Sequence, residues 1–150
     1  MIADALGTSV KGIHHIGSTA IPTVVAKPVI DILCVVKSSI ALNDASARLE
    51  RLGYLARGEN GIEGRRYFVR PGEFDVRRMH LHVFKTGSDH VERHLAFRDY
   101  LLAHPKKAAE YARIKASVSE TAPTKQAYQD GKAPFIAGML AQAIEWHRQR

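Results

Sequence analysis

The sequence predicts an α+β fold: a mixed β-sheet with flanking helices, followed by a helical C-terminal half. Three observations carry this. Apolar residues alternate with polar ones in short runs up to Phe84, the period of half-buried strands. From Ser88 onward the apolar spacing widens to three and four residues, the period of amphipathic helices. Strands come first and helices last, which favours a sheet with helices packed against it over repeating βα units. At 150 residues, 45% of them apolar and 25% charged, the chain fits one globular domain over residues 1–150 with a proper core.

Each element follows from its local chemistry. Ile2 to Leu6 reads as a helical turn stopped by Gly7, and Val10 to Ile16 as a strand delivering a Gly17-Ser18 turn. Pro22 and Pro28 punctuate the connection to a central strand, Val29 to Val36, rich in β-branched residues. Ser39 is the expected N-cap of a helix ending at Gly53, with Ile40, Leu42, Ala45, Leu49 and Leu52 on its apolar face. Gly58 to Gly61 forms a turn, Arg66 to Arg70 a strand, and Pro71-Gly72 a hairpin bend. Met79 to Phe84 then alternates strictly, with Met79, Leu81 and Val83 on one face and His80, His82 and Phe84 on the other.

The helical half opens with Asp89 to Ala103, stopped near His104-Pro105, and continues with Pro105 to Glu120. A last helix starts at Lys125 or at Pro134 and runs to Trp146, striped by Tyr128, Phe135, Ile136, Met139, Leu140 and Ala143. In the first of these helices Val91, Leu95 and Leu102 define the core-facing stripe, flanked by His94 and Arg98.

Composition narrows the function classes. No apolar run reaches the roughly 18 residues a membrane span needs, so no membrane partner is expected. Cys34 is the only cysteine and sits in the central strand, which reads as a packed thiol in a reducing, cytoplasmic setting. The 22 basic residues against 15 acidic ones give a net charge of +7, which favours anionic partners. Arg65, Arg66, Arg70, Arg77 and Arg78 cluster in one stretch, either as solvated arginines around a hairpin or as a fork-shaped platform for phosphate oxygens. Nucleic acid is a weaker expectation, because Tyr67 and Phe68 fall on opposite strand faces and do not form one stacking platform.

The chemistry concentrates in His14-His15-Ile16-Gly17-Ser18-Thr19-Ala20-Ile21-Pro22 and Lys27-Pro28-Val29-Ile30-Asp31-Ile32. Gly17, Ser18 and Thr19 make a small-residue turn whose backbone N–H groups can approach an anion; the same turn also serves as a plain structural corner. Asp31 interrupts a buried apolar strand, where an unpaired carboxylate is costly. Lys27, four residues earlier, is placed to neutralise a phosphate or to pair with Asp31. Glu59 lies in a glycine-framed loop, as a ligand contact or a solvated acid. His80 and His82 share a strand face and, with Asp31, form a two-histidine, one-carboxylate set suited to zinc, manganese or another transition metal. Their alternative is hydrogen bonding to Asp31 or Glu59 in a polar cleft. Arg98 and Lys132 stand on helices, as structural ion-pair partners or as cleft cations.

Successive blocks along the chain resemble the GrpB family: the two above, Gly58-Glu59-Asn60-Gly61-Ile62 with Gly64-Arg65-Arg66-Tyr67-Phe68, His80-Leu81-His82-Val83-Phe84, His94-Leu95-Ala96-Phe97-Arg98-Asp99-Tyr100-Leu101, and Tyr128-Gln129-Asp130-Gly131-Lys132 before Phe135-Ile136. The N-terminal helix that such proteins usually carry has no counterpart, so a shortened member is expected. The resemblance implies a nucleotidyltransferase-like fold without an established activity. Members fused to, or named after, dephospho-coenzyme A kinase point towards nucleotide or coenzyme A chemistry. Nucleotidyltransferases share a hydrophobic-Gly-Ser turn followed by a strand with an Asp-hydrophobic-Asp or Glu pair. Here Ile16-Gly17-Ser18 fits the turn and Asp31 the first acid, but Leu33 stands where the second would be. Glu63 replaces a common proline, Lys125 a usual arginine, and His14 a frequent acid.

Two carboxylates at i and i+2 on a strand can bridge two magnesium ions about 3.5–4 Å apart. With Leu33 in place, Asp31 is the lone carboxylate on that strand face and lacks the i+2 partner. Two expectations follow. The first is a nucleotide- or phospho-ligand-binding domain in which Asp31 is catalytic and carries magnesium or manganese. Gly17, Ser18, Thr19, Lys27, Glu59, Arg65, Arg66, Arg98 and Lys132 would bind the phosphates or the substrate. The second is a non-catalytic binding module that has lost the second carboxylate.

Overall fold

A computed structural model describes residues 2–17, 20–21, 29–72, 78–121 and 125–150, with side chains described except at Ala3, 118–121 and 125–132. The elements are α1 (Ile2–Leu6), a single 3-10 turn (Gly7–Ser9), β1 (Val10–Ile16), β2 (Val29–Val36), α2 (Ser39–Glu50), β3 (Leu55–Ala56), β4 (Arg66–Arg70), β5 (Arg78–Lys85), α3 (Asp89–Ala103), α4 (Pro105–Thr121) and α5 (Lys125–Arg148). The α+β class stands as expected. Among the described residues no helix is long and apolar enough to cross a membrane.

The chain divides into two compact units, Met1–Thr19 with Ala26–Val91, and Ala20–Val25 with Glu92–Arg150. The first holds a five-stranded mixed sheet in the order β1-β2-β5-β4-β3. Its central pair, β2 and β5, is parallel, and the other pairings are antiparallel. Alternation along β2 and β5 sends Cys34, Val36, Leu81 and Val83 to the face covered by Leu42, Ala45 and Leu49 of α2, with Phe68, Leu6 and Tyr54 completing that core. Each large apolar side chain buried there contributes about 1.5–3 kcal/mol. Cys34 is fully buried, and burial pushes its thiol up to about 12, so it packs as a small hydrophobe.

Two local features differ from the expectation. The N-cap of α2 is Ser38 rather than Ser39: extended at φ −153°, it accepts from the Ala41 N–H at 3.1 Å, and Ser39 is the first helical residue. Strand β3 is only two residues long, too short to show alternation; it pairs Leu55 with Val69 and Ala56 with Phe68. Strands β4 and β5 form the expected antiparallel pair, and the segment after Pro71-Gly72 that joins them lies outside the described residues.

In the second unit Ala96, Tyr100 and Leu101 of α3 pack with Ala108 and Tyr111 of α4, Met139 and Ala143 of α5, and Ile21. The core stripe of α3 is therefore rotated from the expected Val91, Leu95 and Leu102, and Leu102 is an exposed large hydrophobic. Small Ala96 and amphipathic Tyr100 carry little hydropathy, which hides the true stripe from a pattern of aliphatic residues. Pro105 opens α4 at a position where the missing N–H costs nothing. Helix α5 runs from Lys125 straight through Pro134, so the earlier of the two expected starts is the real one.

Candidate functional site

Asp31 lies on β2 between β1 and β5, opposite Ile16 on one side and His80 on the other. Strand periodicity puts Asp31, Leu33, His80, His82 and Tyr67 on the face opposite the α2 core, with Tyr67 paired to His82 across β4 and β5. Two strands far apart in sequence thus bring one carboxylate and two imidazoles together.

Their hydrogen bonds run in one direction. Arg65 is 6% exposed, and its fork donates from Nε to the Glu59 carbonyl at 3.1 Å and from NH2 to the Asn60 carbonyl at 3.0 Å. Its NH1 lies 3.2 Å from His82 Nδ1. Arginine has no acceptor, so Nδ1 accepts and the proton of the neutral ring sits on Nε2. That Nε2 is 3.2 Å from Asp31 Oδ1 and donates to it. His80 repeats the pattern: Arg78 Nε donates to its Nε2 at 3.0 Å, which leaves the proton on Nδ1, 3.8 Å from the same Asp31 oxygen. Two arginine-backed imidazoles therefore aim N–H groups at one carboxylate oxygen, and Asp31 keeps 27% of its side chain exposed.

Tyr67 closes the side of the cluster. Its ring centre lies 5.2 Å from that of His82 and 5.6 Å from that of His80, and the Arg65 guanidinium sits 4.5 Å above it. Burial, and then the Asp31 charge, push the phenol above its ordinary value, against the pull of Arg65, Arg78 and Arg57. Burial also lowers the Arg65 guanidinium.

The second Asp31 oxygen faces the Gly17 turn. Gly17 has φ +73°, and a Cβ there would lie 2.9 Å from Oδ2 and 3.2 Å from the Asp31 Cβ. Only glycine combines that backbone conformation with so close an approach. Gly17→Ala is therefore expected to displace the carboxylate and to cost about 1–2 kcal/mol in backbone strain alone. Chemical denaturation, together with loss of the His82 Nε2–H signal in NMR spectra, measures both effects.

The other expected site residues fall in different places. Arg66 points to the opposite face, where NH2 donates to Asn43 Oδ1 of α2 at 2.9 Å and NH1 to the Arg65 carbonyl at 3.1 Å. The Glu59 carboxylate closes its own loop by accepting from the Gly64 N–H at 2.6 Å. On α3 in the second unit, Arg98 pairs with Asp99 at 2.9 Å. Ser18, Thr19 and Lys27, and the side chain of Lys132, lie outside the described residues. Tyr67 was not singled out for the site by sequence, and Arg78 entered only as one of an arginine-rich stretch; strand parity relative to His82 and His80 is the signal that places them.

Leu33 is fully buried beside His82. The position of the missing second acid is thus core, with no carboxylate adjoining Asp31 along β2. The histidines fit a transition metal poorly. A ligating imidazole offers one lone pair to the ion and donates its other N–H to an acceptor behind it. Here arginine donors stand behind both rings, and the nitrogens facing Asp31 carry the protons. No group of three or more His, Cys, Asp or Glu arranged to hold a metal ion occurs among the described residues. A hard cation fits better, since magnesium is commonly held by a single carboxylate together with substrate phosphates, and Asp31 Oδ2 is not engaged by either histidine.

Comparison with known proteins gives a consistent picture. UPF0157 protein YqkA of Bacillus subtilis is 42% identical over 145 residues, covering 96% of this chain and 42% of YqkA. UPF0157 protein PA4798 of Pseudomonas aeruginosa is 38% identical over 146 residues, covering 95% of this chain and 60% of that protein. The chain thus spans less than two thirds of the length of either relative. The crystal structure of the conserved protein GrpB from Enterococcus faecalis superimposes with a TM-score of 0.87 at 32% identity, over 97% of this chain and 87% of that one. The family described as GrpB protein matches residues 1–142, and with these likenesses in sequence and backbone the chain belongs to the GrpB family.

Proposed function

We propose that the domain binds a phosphorylated small molecule of the nucleotide class at Asp31. The supporting observation is the asymmetric setting of that carboxylate: Oδ1 is held by His82 Nε2 at 3.2 Å, while Oδ2 is turned towards a glycine turn with a left-handed backbone. A phosphate beside the turn would meet backbone N–H groups, and Asp31 Oδ2 would accept a ligand hydroxyl or hold the magnesium or manganese that accompanies the phosphates. Such a cation would supply charge neutralisation. Arg78, exposed at the rim and fixed through Nε to His80, is the cation suited to a phosphate. Buried Arg65 instead orients His82.

Nucleotidyltransferase ancestry makes group transfer one form of this reading, with Asp31 as the catalytic acid–base or metal-holding group. The buried Leu33 favours a second form, binding without two-metal transfer. Calorimetric titration with nucleoside triphosphates and coenzyme A precursors, with and without magnesium, separates them. Saturable binding is expected, weakened at least ~10-fold in Asp31→Asn, which keeps the shape of the side chain but loses its charge. Unchanged affinity in that variant rejects the site. Metal-dependent product formation selects transfer over simple binding.

A further inference from the structure

On the sheet face opposite Asp31, a cavity of about 330 Å³ is lined by Ile2, Ile13, Ile32, Leu52, Tyr54, Met79 and Arg70. Its size falls within the range of small-molecule sites, about 300–1,000 Å³. Six of the seven lining residues are aliphatic, thioether or aromatic, and none is acidic. The seventh is a guanidinium whose hydrogen bonding is poor. Arg70 Nε is buried with no hydrogen-bond partner, NH2 donates to the Met79 sulfur at 3.1 Å, and the guanidinium lies 5.5 Å from the centre of the Tyr54 ring. The Tyr54 hydroxyl, on a residue 2% exposed, turns to the same sulfur at 3.6 Å. A thioether is a weak acceptor, so two strong donors converge where a strong acceptor is missing. Arg70 as a whole is half-buried, but its buried Nε lacks an acceptor, a cost that a ligand carrying a strong acceptor would remove.

We infer that this cavity takes a small amphiphilic carboxylate, its apolar tail among Ile2, Ile13, Ile32 and Leu52 and its head against Arg70 and Tyr54. A carboxylate matches the guanidinium fork in charge and geometry, and accepts from the tyrosine hydroxyl as well. The tail accounts for the aliphatic lining, which offers nothing to a sugar or a free phosphate.

Sodium octanoate is the probe, with 1-octanol supplying the tail without the charge and sodium acetate the charge without the tail. Titration of the full chain, followed by calorimetry or by NMR shifts of the Ile13 and Ile32 methyls, is expected to show one saturable octanoate site. Octanol is expected to bind at least ~10-fold more weakly and acetate not measurably. Arg70→Met should erase the advantage of octanoate over octanol. Ile13→Trp, at a rim position 39% exposed and tolerant of a larger side chain, should block both ligands without relying on the folding of the arginine variant. Equal affinity for octanoate and octanol, or octanoate binding that survives either substitution, overturns the assignment. So does an Ile13→Trp variant that abolishes self-association of a protein that binds no octanoate, which would give the cavity to a second copy of the chain.

Discussion

Arg65→Met is expected to lower the free energy of unfolding by about 2–4 kcal/mol, a large effect for one residue in a loop-to-strand junction. The guanidinium donates to two loop carbonyls and to His82, and only 6% of the residue is exposed. Methionine fills much of the volume but leaves His82 Nδ1 without its donor. The loop carbonyls of Glu59 and Asn60, on exposed residues, can turn to water, which caps the loss. Urea denaturation followed by circular dichroism gives the stability. The nitrogen chemical shifts of His82 give the second readout: the proton held on Nε2 in the wild type should distribute over both nitrogens in the variant. Arg65→Lys should recover little, because one ammonium cannot serve three separated acceptors. A variant as stable as wild type, with an unchanged His82 tautomer, would show that Asp31 is oriented by other means.

Leu33→Asp tests whether the second carboxylate of the nucleotidyltransferase pattern can simply be put back. The expected result is destabilisation by at least about 3 kcal/mol, because the position is fully buried and the substitution exchanges a packed aliphatic chain for a carboxyl. The new group would lie beside His14 on β1 and His82 on β5, so it would also compete with Asp31 for the His82 N–H. Thermal unfolding with and without magnesium distinguishes the outcomes. Wild-type stability together with a new magnesium-dependent stabilisation would mean that the fold retains a latent two-metal geometry. Loss of stability that magnesium leaves unrestored fits a strand already committed to core packing.

Much of this was legible in the sequence because period-two alternation is unambiguous when polar residues interrupt aliphatic runs. Asp31, His80 and His82 stand out from their strands for that reason, and they meet on one face of the sheet. Arg66 was harder to place. Its neighbour Arg65 is chemically identical, and only the phase of β4 decides that one arginine reaches His82 and the other Asn43. The loop role of Glu59 was hidden because it depends on the fold of residues 59–64 upon themselves, and the Gly64 N–H is no signal in a sequence. In α3 the buried stripe joins Leu101 to small Ala96 and aromatic Tyr100, and hydropathy alone ranks the latter two below Leu95 and Leu102. The unsatisfied Nε of Arg70 was equally invisible, since the lack of an acceptor is a property of what surrounds it.

The parallel pairing of β2 with β5 has a consequence for how the protein reaches its working state. Asp31 and His82 are separated by 51 positions, with a helix and two other strands between them. Zipping such distant segments side by side carries a large loop-closure cost and is slow compared with forming hairpins. The Asp31–His82 contact should therefore mature only after the meander of β4 and β5 is in place. Ligand affinity would then report on completed assembly, and partly folded chains would be silent.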